Sequence, residues 1–598
     1  MSSTRRDFLW ITSSTLAGVT ALSQAAENVP ANPTPPGTPP VFGTSEGAGP
    51  QVTPAMLAAA EKVVQVEMTP RERAQAAHNW RSSVGPLYER RTGPRKVALA
   101  ADVVPGSQWL PFSSNPQTAA RNRLVRSPAA PGPLPKHDAD IAFAPVWKLS
   151  RWIERRELTS ERLTRIYLDR LTRFDPKLRC VITATPELAL RQAKAADQEI
   201  AAGRYRGPLH GIPWGAKDLL DTAGIRTTYG AEPFQNRVPD ADAAVVSKLH
   251  TAGAVLVAKL SLGALALNDV WFGGQTMNPW LLEEGSGGSS AGPGAATAAG
   301  LVGFAIGSET EGSIVGPSMR CGVTGLRPTF GRVPRTGAMT LCWSLDKLGP
   351  MTRAVEDALL VLQAISGPDA GDLASVPAAL DFDATTPVNG LRVGYFPNWM
   401  QAPEANDVER GALRHLEDLG LQPVAVSLPD WPYDSLNAIL FAESAAAFEE
   451  LTASRRVDQL KMQTDDAWPN VFRQSRFISA VDFVQADRFR RLVAREMARV
   501  LAEVDLLLVP SLRDEMLTIG NFTGLPSLTL RAGFVEVTEA RSDWAPDPAK
   551  PAIRFNPPRR VPHGITLVGR AFDEGTLGRV GLALERALAV AQLNPTGF

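Results

Sequence analysis

Near the start of the chain, apolar residues return at helical intervals. Leu57, Ala60 and Val64 share one face, and Thr69-Pro70-Arg71-Glu72 reads as a helix start with proline in the first turn. Farther along, Leu163, Ile166, Tyr167, Leu171 and Phe174 form a stripe after Thr159-Ser160, and Ala243 to Ala252 reads as another helix. Short, continuously apolar runs lie between such stretches. Ala254 to Ala258 (AVLVA) and Leu301 to Ile306 predict buried strands, the second following an Ala-rich helical run. The alternation runs from about residue 138 to the end and predicts an α/β domain layered around one large sheet. No internal repeat interrupts it.

Two stretches break the pattern and set the boundaries. Residues 27–53 carry Pro30, Pro33, Pro35, Pro36, Pro39 and Pro40 among small residues, a composition that cannot bury a core and predicts a disordered linker. Residues 93–137 are irregular and Pro-rich, and are expected to wrap the main body. The expected organisation is therefore a signal segment over 1–26, the linker over 27–53, a helical and irregular N-terminal appendage over 54–137, and one large domain over 138–598. The first segment has Arg5-Arg6 ahead of an apolar stretch from Trp10 to Leu22, too short to span a bilayer, then Ser23-Gln24-Ala25-Ala26. It resembles a bacterial twin-arginine translocation signal, which implies a periplasmic or secreted mature protein with no stable membrane insertion.

Charge and composition narrow the chemistry. Lys plus Arg and Asp plus Glu both number 62, so no global field attracts nucleic acid, and none is expected as a partner. Cys180, Cys321 and Cys342 share no Cys-x-x-Cys spacing and the six histidines are scattered, so no metal site is expected and one disulfide at most.

Three glycine-dense stretches exceed what a core needs. In Gly211-Ile212-Pro213-Trp214-Gly215-Ala216-Lys217-Asp218, the lysine follows a short apolar run and should stand at a strand end, where desolvation would favour a neutral amine; an exposed, carboxylate-paired lysine fits the residues as well. In Gly285-Ser286-Gly287-Gly288-Ser289-Ser290-Ala291-Gly292, the serines open a helix and could simply cap it. In Gly307-Ser308-Glu309-Thr310-Glu311-Gly312-Ser313-Ile314, a turn at a strand end could aim its N–H groups at an oxyanion, or Ser313 could be an ordinary turn residue.

Taken together, the stretches resemble the amidase signature family over most of residues 138–598. Gly207-Pro208-Leu209-His210-Gly211-Ile212-Pro213 with Lys217-Asp218, Gly287 to Gly292, and Gly307 to Ser318 match its motifs in order, with Lys217, Ser289 and Ser313 spaced by 72 and 24 residues. Cys321 to Thr329, Leu348 to Arg353, Gly524-Leu525-Pro526 and Gly569 to Leu577 fit its later elements. The resemblance implies a large mixed central sheet with helices on both faces, no cofactor, and hydrolysis of a small-molecule carboxamide by a Ser–Ser–Lys set. Ser313 would be the nucleophile, Ser289 the relay behind an expected cis Gly288–Ser289 bond, and Lys217 the base. The N–H groups of Thr310, Glu311, Gly312 and Ser313 would form the oxyanion hole, and Gly288 and Gln275 would border the substrate.

The chain also departs from the family pattern. Glu311 stands where glycine is usual, Glu309 for aspartate, Val315 for arginine, and Ala291 for glycine. These changes imply a lost ion pair behind the loop and a Glu311 side chain turned out of the hole. Residues 375–510 are expected to supply much of the acyl pocket, whose ligand is not legible. Trp271, Phe272, Trp399 and Met400 are candidates for lining it, or for core packing. The oligomeric state is left open, a homo-oligomer included. Three other readings compete: an ammonia-generating, A-type component of an amidotransferase; a silent binding protein of the same fold; and an α/β-hydrolase in which Gly288-Ser289-Ser290-Ala291-Gly292 makes Ser290 the nucleophile with His415 or His563. The last requires a strand directly before the motif, where Pro279 and Glu283-Glu284-Gly285-Ser286 look loop-like.

Overall fold

The apolar runs do become strands buried at every position. In the computed structural model, which describes residues 38, 47–107, 121–547 and 549–598, one mixed sheet carries the molecule. The signal segment and most of the linker lie outside the described residues. In chain order the sheet's strands are β1 (Val181–Ala184), β2 (Pro213–Lys217), β3 (Val255–Leu260), β4 (Phe304–Glu309), β5 (Thr324–Arg327), β6 (Lys347–Thr352), β7 (Arg392–Tyr395), β8 (Gln422–Ala425), β9 (Leu506–Pro510), β10 (Ser527–Glu539) and β11 (Arg554–Gly569). They pair in the order β8-β7-β9-β11-β10-β5-β6-β4-β2-β3-β1. β2 runs parallel to β3 and β4, and β7 parallel to β8 and β9; the remaining neighbours are antiparallel. β4 starts at Phe304 rather than Leu301, because Gly300 at φ 64° closes the preceding helix and Leu301 N–H returns to Ala296 O.

Strand alternation sorts the core into two layers. Leu256, Phe304 and Ile306 pack with the helices Val355–Ile365 and Glu574–Leu588, whereas Val255, Val257 and Ala305 pack with Ala295 and Ala296 of the helix Ala291–Ala298 and with Leu171 and Phe174 of the helix Ser160–Leu178. Successive side chains of a strand point to opposite faces, so both faces of the sheet are covered by helices.

The appendage is built as its caps predict. Helices Pro54–Val64 and Pro70–Ser83 are joined through Thr69, whose hydroxyl accepts Glu72 N–H while the Glu72 carboxylate accepts Thr69 N–H. A 3-10 turn, Gly85–Tyr88, follows. Buried polar contacts dock this unit on the main domain. The Glu72 carboxylate lies 2.8 Å from both Arg455 and Arg473, and Gln474 and Asn79 each donate across the junction, to Ala76 O and Asp465 O. Among the described residues beyond it, Gly106 N–H donates to Asp487 O, and Arg123–Val125 pairs in parallel with Asp381–Asp383. Cys180, Cys321 and Cys342 are buried free thiols, so the one conceivable disulfide does not form. Among the described residues no helix is long and apolar enough to cross a membrane.

Candidate active site

Lys217 closes β2 and is fully buried. Its Nζ lies 2.8 Å from Ser289 Oγ, 3.0 Å from Ser290 Oγ and 2.9 Å from Ser308 Oγ. The Ser290 hydroxyl donates to Ser308 O and accepts Ser308 N–H, so towards Ser290 the lysine can only donate. A neutral amine has two N–H donors and one lone pair. Donating to Ser290 and Ser308 leaves that lone pair for the Ser289 hydroxyl. Burial pushes the amine far below the usual lysine range, against the opposing pull of Asp346 and Glu309, so the neutral form is the one this pocket favours.

Ser289 sits in the turn between a short hairpin strand, Leu281–Gly285, and the helix Ala291–Ala298. The Gly288–Ser289 peptide is cis. Gly288 is there because the chain passes Asn268 so closely that a Cβ would lie 1.7 Å from Asn268 O. Gly288 N–H donates to Asp543 Oδ2 at 2.9 Å, and Arg320 holds the other carboxylate oxygen at 2.8 Å.

Ser313 lies in the loop after β4 and is tied to the Ser289 turn by Ser290 N–H donating to Ser313 O at 3.1 Å. No hydrogen bond joins the Ser289 and Ser313 hydroxyls directly. The loop's left-handed torsion falls on Gly312, at φ 83°, and Glu311 keeps an ordinary backbone conformation. The N–H groups of Thr310, Glu311, Gly312 and Ser313 donate to no protein acceptor and remain available to a ligand. Behind them Glu309 Oε2 accepts from Ile314 and Val315 N–H at 2.7 and 2.9 Å, and Glu309 Oε1 pairs with Arg327 at 2.8 Å. Burial would raise this carboxyl, but the Arg327 guanidinium prevails and holds it at about 2. The ion pair expected to be lost with Val315 is therefore retained, with Arg327 supplying the cation from β5.

A cavity of about 280 Å³ opens over this loop. Thr310 to Ser313 and Gly288 form its floor; Ser82, Ser83, Pro86 and Leu87 of the appendage, with Asn437, Leu440 and Phe441, form its walls.

Residues 162–577 match the family model described as Amidase. The chain belongs to the amidase family. It is 34% identical over 481 residues to the A-type subunit of the glutamyl-tRNA(Gln) amidotransferase from Roseiflexus sp. (strain RS-1), covering 72% of this chain and 94% of that one. With the same subunit from Moorella thermoacetica it shares 33% identity over 508 residues, 76% of this chain and 99% of that one. The native peptide amidase from Stenotrophomonas maltophilia matches in structure with TM-score 0.64 and 30% identity, over 75% of this chain and 98% of that one. A bacterial aryl acylamidase of the amidase signature enzymes shares the fold, with TM-score 0.65 and 21% identity over 76% of this chain and 99% of that one.

The amidase-family fold is the one expected, and its matched segment begins downstream of the appendage. Some expected site residues fall elsewhere. Gln275 does not reach the cavity: its amide donates to Asp269 at 3.2 and 3.3 Å. Trp271 and Phe272 pack edge to face, and Trp399 stacks on Phe396, so these aromatics serve the core; Met400, buried in the same core, does not line the cavity either. The α/β-hydrolase reading fails on geometry. A strand does precede the Ser289 turn, correcting the loop expectation, but it belongs to a two-stranded hairpin outside the main sheet. His563 is engaged by Glu409 and Asn406, His415 by Asp418, and neither lines the cavity. Asp543, Asp434, Asp514 and Ser83 also line the cavity, each from a segment with no glycine-rich signal to mark it in the sequence.

Proposed function

We propose that this amidase-family protein hydrolyses a carboxamide through an acyl-enzyme on Ser313. The observation that carries the reading is the fully buried Lys217 Nζ, 2.8 Å from Ser289 Oγ, with its remaining neighbours arranged as acceptors. In this reading Lys217 takes the Ser289 proton while Ser289 takes that of Ser313, and Ser313 Oγ bonds to the amide carbon. The free N–H groups of Glu311, Gly312 and Ser313 receive the oxyanion. Collapse breaks the C–N bond, and the proton on Lys217 returns through Ser289 to the departing amine. Water then repeats the relay, forming the carboxylate and freeing Ser313. The hydroxyl-to-hydroxyl link is one that substrate binding would tighten.

The reading is tested by labelling with a fluorophosphonate, which should modify the wild type and not Ser313→Ala. Lys217→Ala should lower amide turnover by about 10²–10⁴-fold, the usual worth of a positioned base. Labelling that survives in Ser313→Ala, or a Lys217→Ala enzyme of wild-type rate, defeats it. The same labelling failing on the wild type would favour a silent binding protein. The relatives named as A-type components of glutamyl-tRNA(Gln) amidotransferases support a second reading, ammonia release from glutamine within a larger assembly. Glutaminase activity appearing only with added partner proteins would favour it. Export rests on Arg5-Arg6, and replacing both by lysine should leave the protein in the cytoplasm.

A further inference from the structure

The cavity over Ser313 is lined by four carboxylates, Glu311, Asp434, Asp514 and Asp543, and by no lysine, arginine or histidine among the described residues. Asp543 is accounted for by Arg320 and Gly288 N–H. The other three lack a countercharge. Glu311 Oε1 accepts from Thr518 Oγ1 at 2.8 Å, while Oε2 is buried with no hydrogen-bond partner at all. The cations nearest the two aspartates are engaged elsewhere: Arg513 with Glu515 at 2.6 Å, Arg95 with Glu89 at 2.9 Å and Asp430 at 3.7 Å.

These acids also disfavour one another's charge. Desolvation raises Glu311 to about 8, with Asp514, Asp434 and Glu309 adding to the effect. Asp434 is raised by desolvation, with Arg95 opposing and Glu515 and Glu89 adding to the effect, while Asp514 stands at the exposed mouth of the cavity. A cavity that gathers acids and no base beside Ser313 is suited to a positively charged ligand.

A metal ion does not suit the arrangement. Among the described residues no three carboxylates, thiols or imidazoles come together closely enough to hold one. The carboxylates are instead dispersed among Leu87, Leu440, Phe441 and Leu517. That mixture fits an organic cation, whose N–H donors meet the acids while its carbon stem lies on the apolar side chains.

We propose that this cavity selects carboxamides bearing a protonated amine, amidine or guanidine, with the Glu311, Asp434 and Asp514 carboxylates forming the acidic side that receives the cationic end. The proposal rests on the reading of Ser313 as the nucleophile. It also gives Glu311 a purpose. Glu311 supplies an N–H to the oxyanion hole, and an anionic side chain beside that hole would oppose the charge developing on the carbonyl oxygen. A substrate cation seated beside Glu311 draws the carboxyl into its charged form and offsets that charge, so the favoured substrates bind more tightly without opposing the oxyanion.

The experiment is a calorimetric titration of the Ser313→Ala protein with ω-ammonioalkanamides of increasing chain length, each against the n-alkanamide of matched length. At least one ammonium member should bind about tenfold or more tightly than its neutral partner, a difference of about 1.4 kcal/mol. That ratio should fall towards one when Glu311→Gln or Asp514→Asn is added. Equal binding in every pair, or a ratio that neither substitution moves, overturns the proposal. Binding is read here without turnover, so such a failure leaves amide hydrolysis untouched. Conversely, a wild type that cleaves no amide while Ser313→Ala still prefers the cations supports this proposal and fails the hydrolytic reading alone.

Discussion

At the scale of single residues, two titrating groups dominate the behaviour expected of the protein. Lys217 must be neutral to accept a proton, and its surroundings depress its affinity for one. The kcat/KM profile should therefore climb with pH and level off far below the ordinary lysine range; a limb centred near that range in a steady-state pH series would contradict the assignment. Glu311 has the opposite displacement, from 4.5 up to about 8. The folded protein then binds more protons than the unfolded chain between those two values, so this group's contribution to stability is present below pH 4.5 and is lost as pH rises towards 8. Glu311→Gln should melt higher than wild type at pH 8, with the gap closing on acidification, which a melting series over pH will show. Stability gained there and substrate preference lost is the exchange expected where a binding group is kept unsatisfied.

At the scale of elements, the appendage and the β10–β11 hairpin loop do more than decorate the sheet. The appendage ends in the turn Gly85–Tyr88, whose Pro86 and Leu87 wall the cavity. Leu87→Ala should raise KM for bulky amides several-fold while leaving kcat near wild type, measured by steady-state kinetics; a fall confined to kcat would argue against a wall. The hairpin loop carries Asp543 to the Gly288 peptide and to Arg320, which is almost completely buried. Asp543→Ala strands that guanidinium and should cost about 3–5 kcal/mol in urea unfolding, the usual penalty for breaking a buried pair from one side. Turnover should fall as well, because Gly288 N–H loses the carboxylate that fixes the turn before Ser289.

At the scale of the whole molecule, what could be read from the sequence follows the range of each signal. Helix stripes such as Leu163 to Phe174, and runs such as Val255 to Ala258, are local patterns, and both layers of the sheet follow from them. Lys217, Ser289 and Ser313 could be picked out because each sits in its own glycine-dense stretch. Gln275 shows the converse: its neighbourhood looks like a site loop, yet the side chain turns to Asp269. Asp434, Asp514 and Asp543 carry no local mark, and their convergence depends on how distant helices and a hairpin fold back. Glu309 illustrates the same limit, since its pairing with Arg327, 18 residues away on another strand, is not visible in the local sequence.

The cavity's walls span the chain from Ser82 to Asp543. A polypeptide leaving the ribosome therefore carries Lys217 and Ser289 long before it has the loop that steadies them, and it cannot finish its own reaction chamber until almost every residue has emerged. Under the proposed reading, the serine assigned as nucleophile emerges early, and the residues that complete its surroundings arrive last.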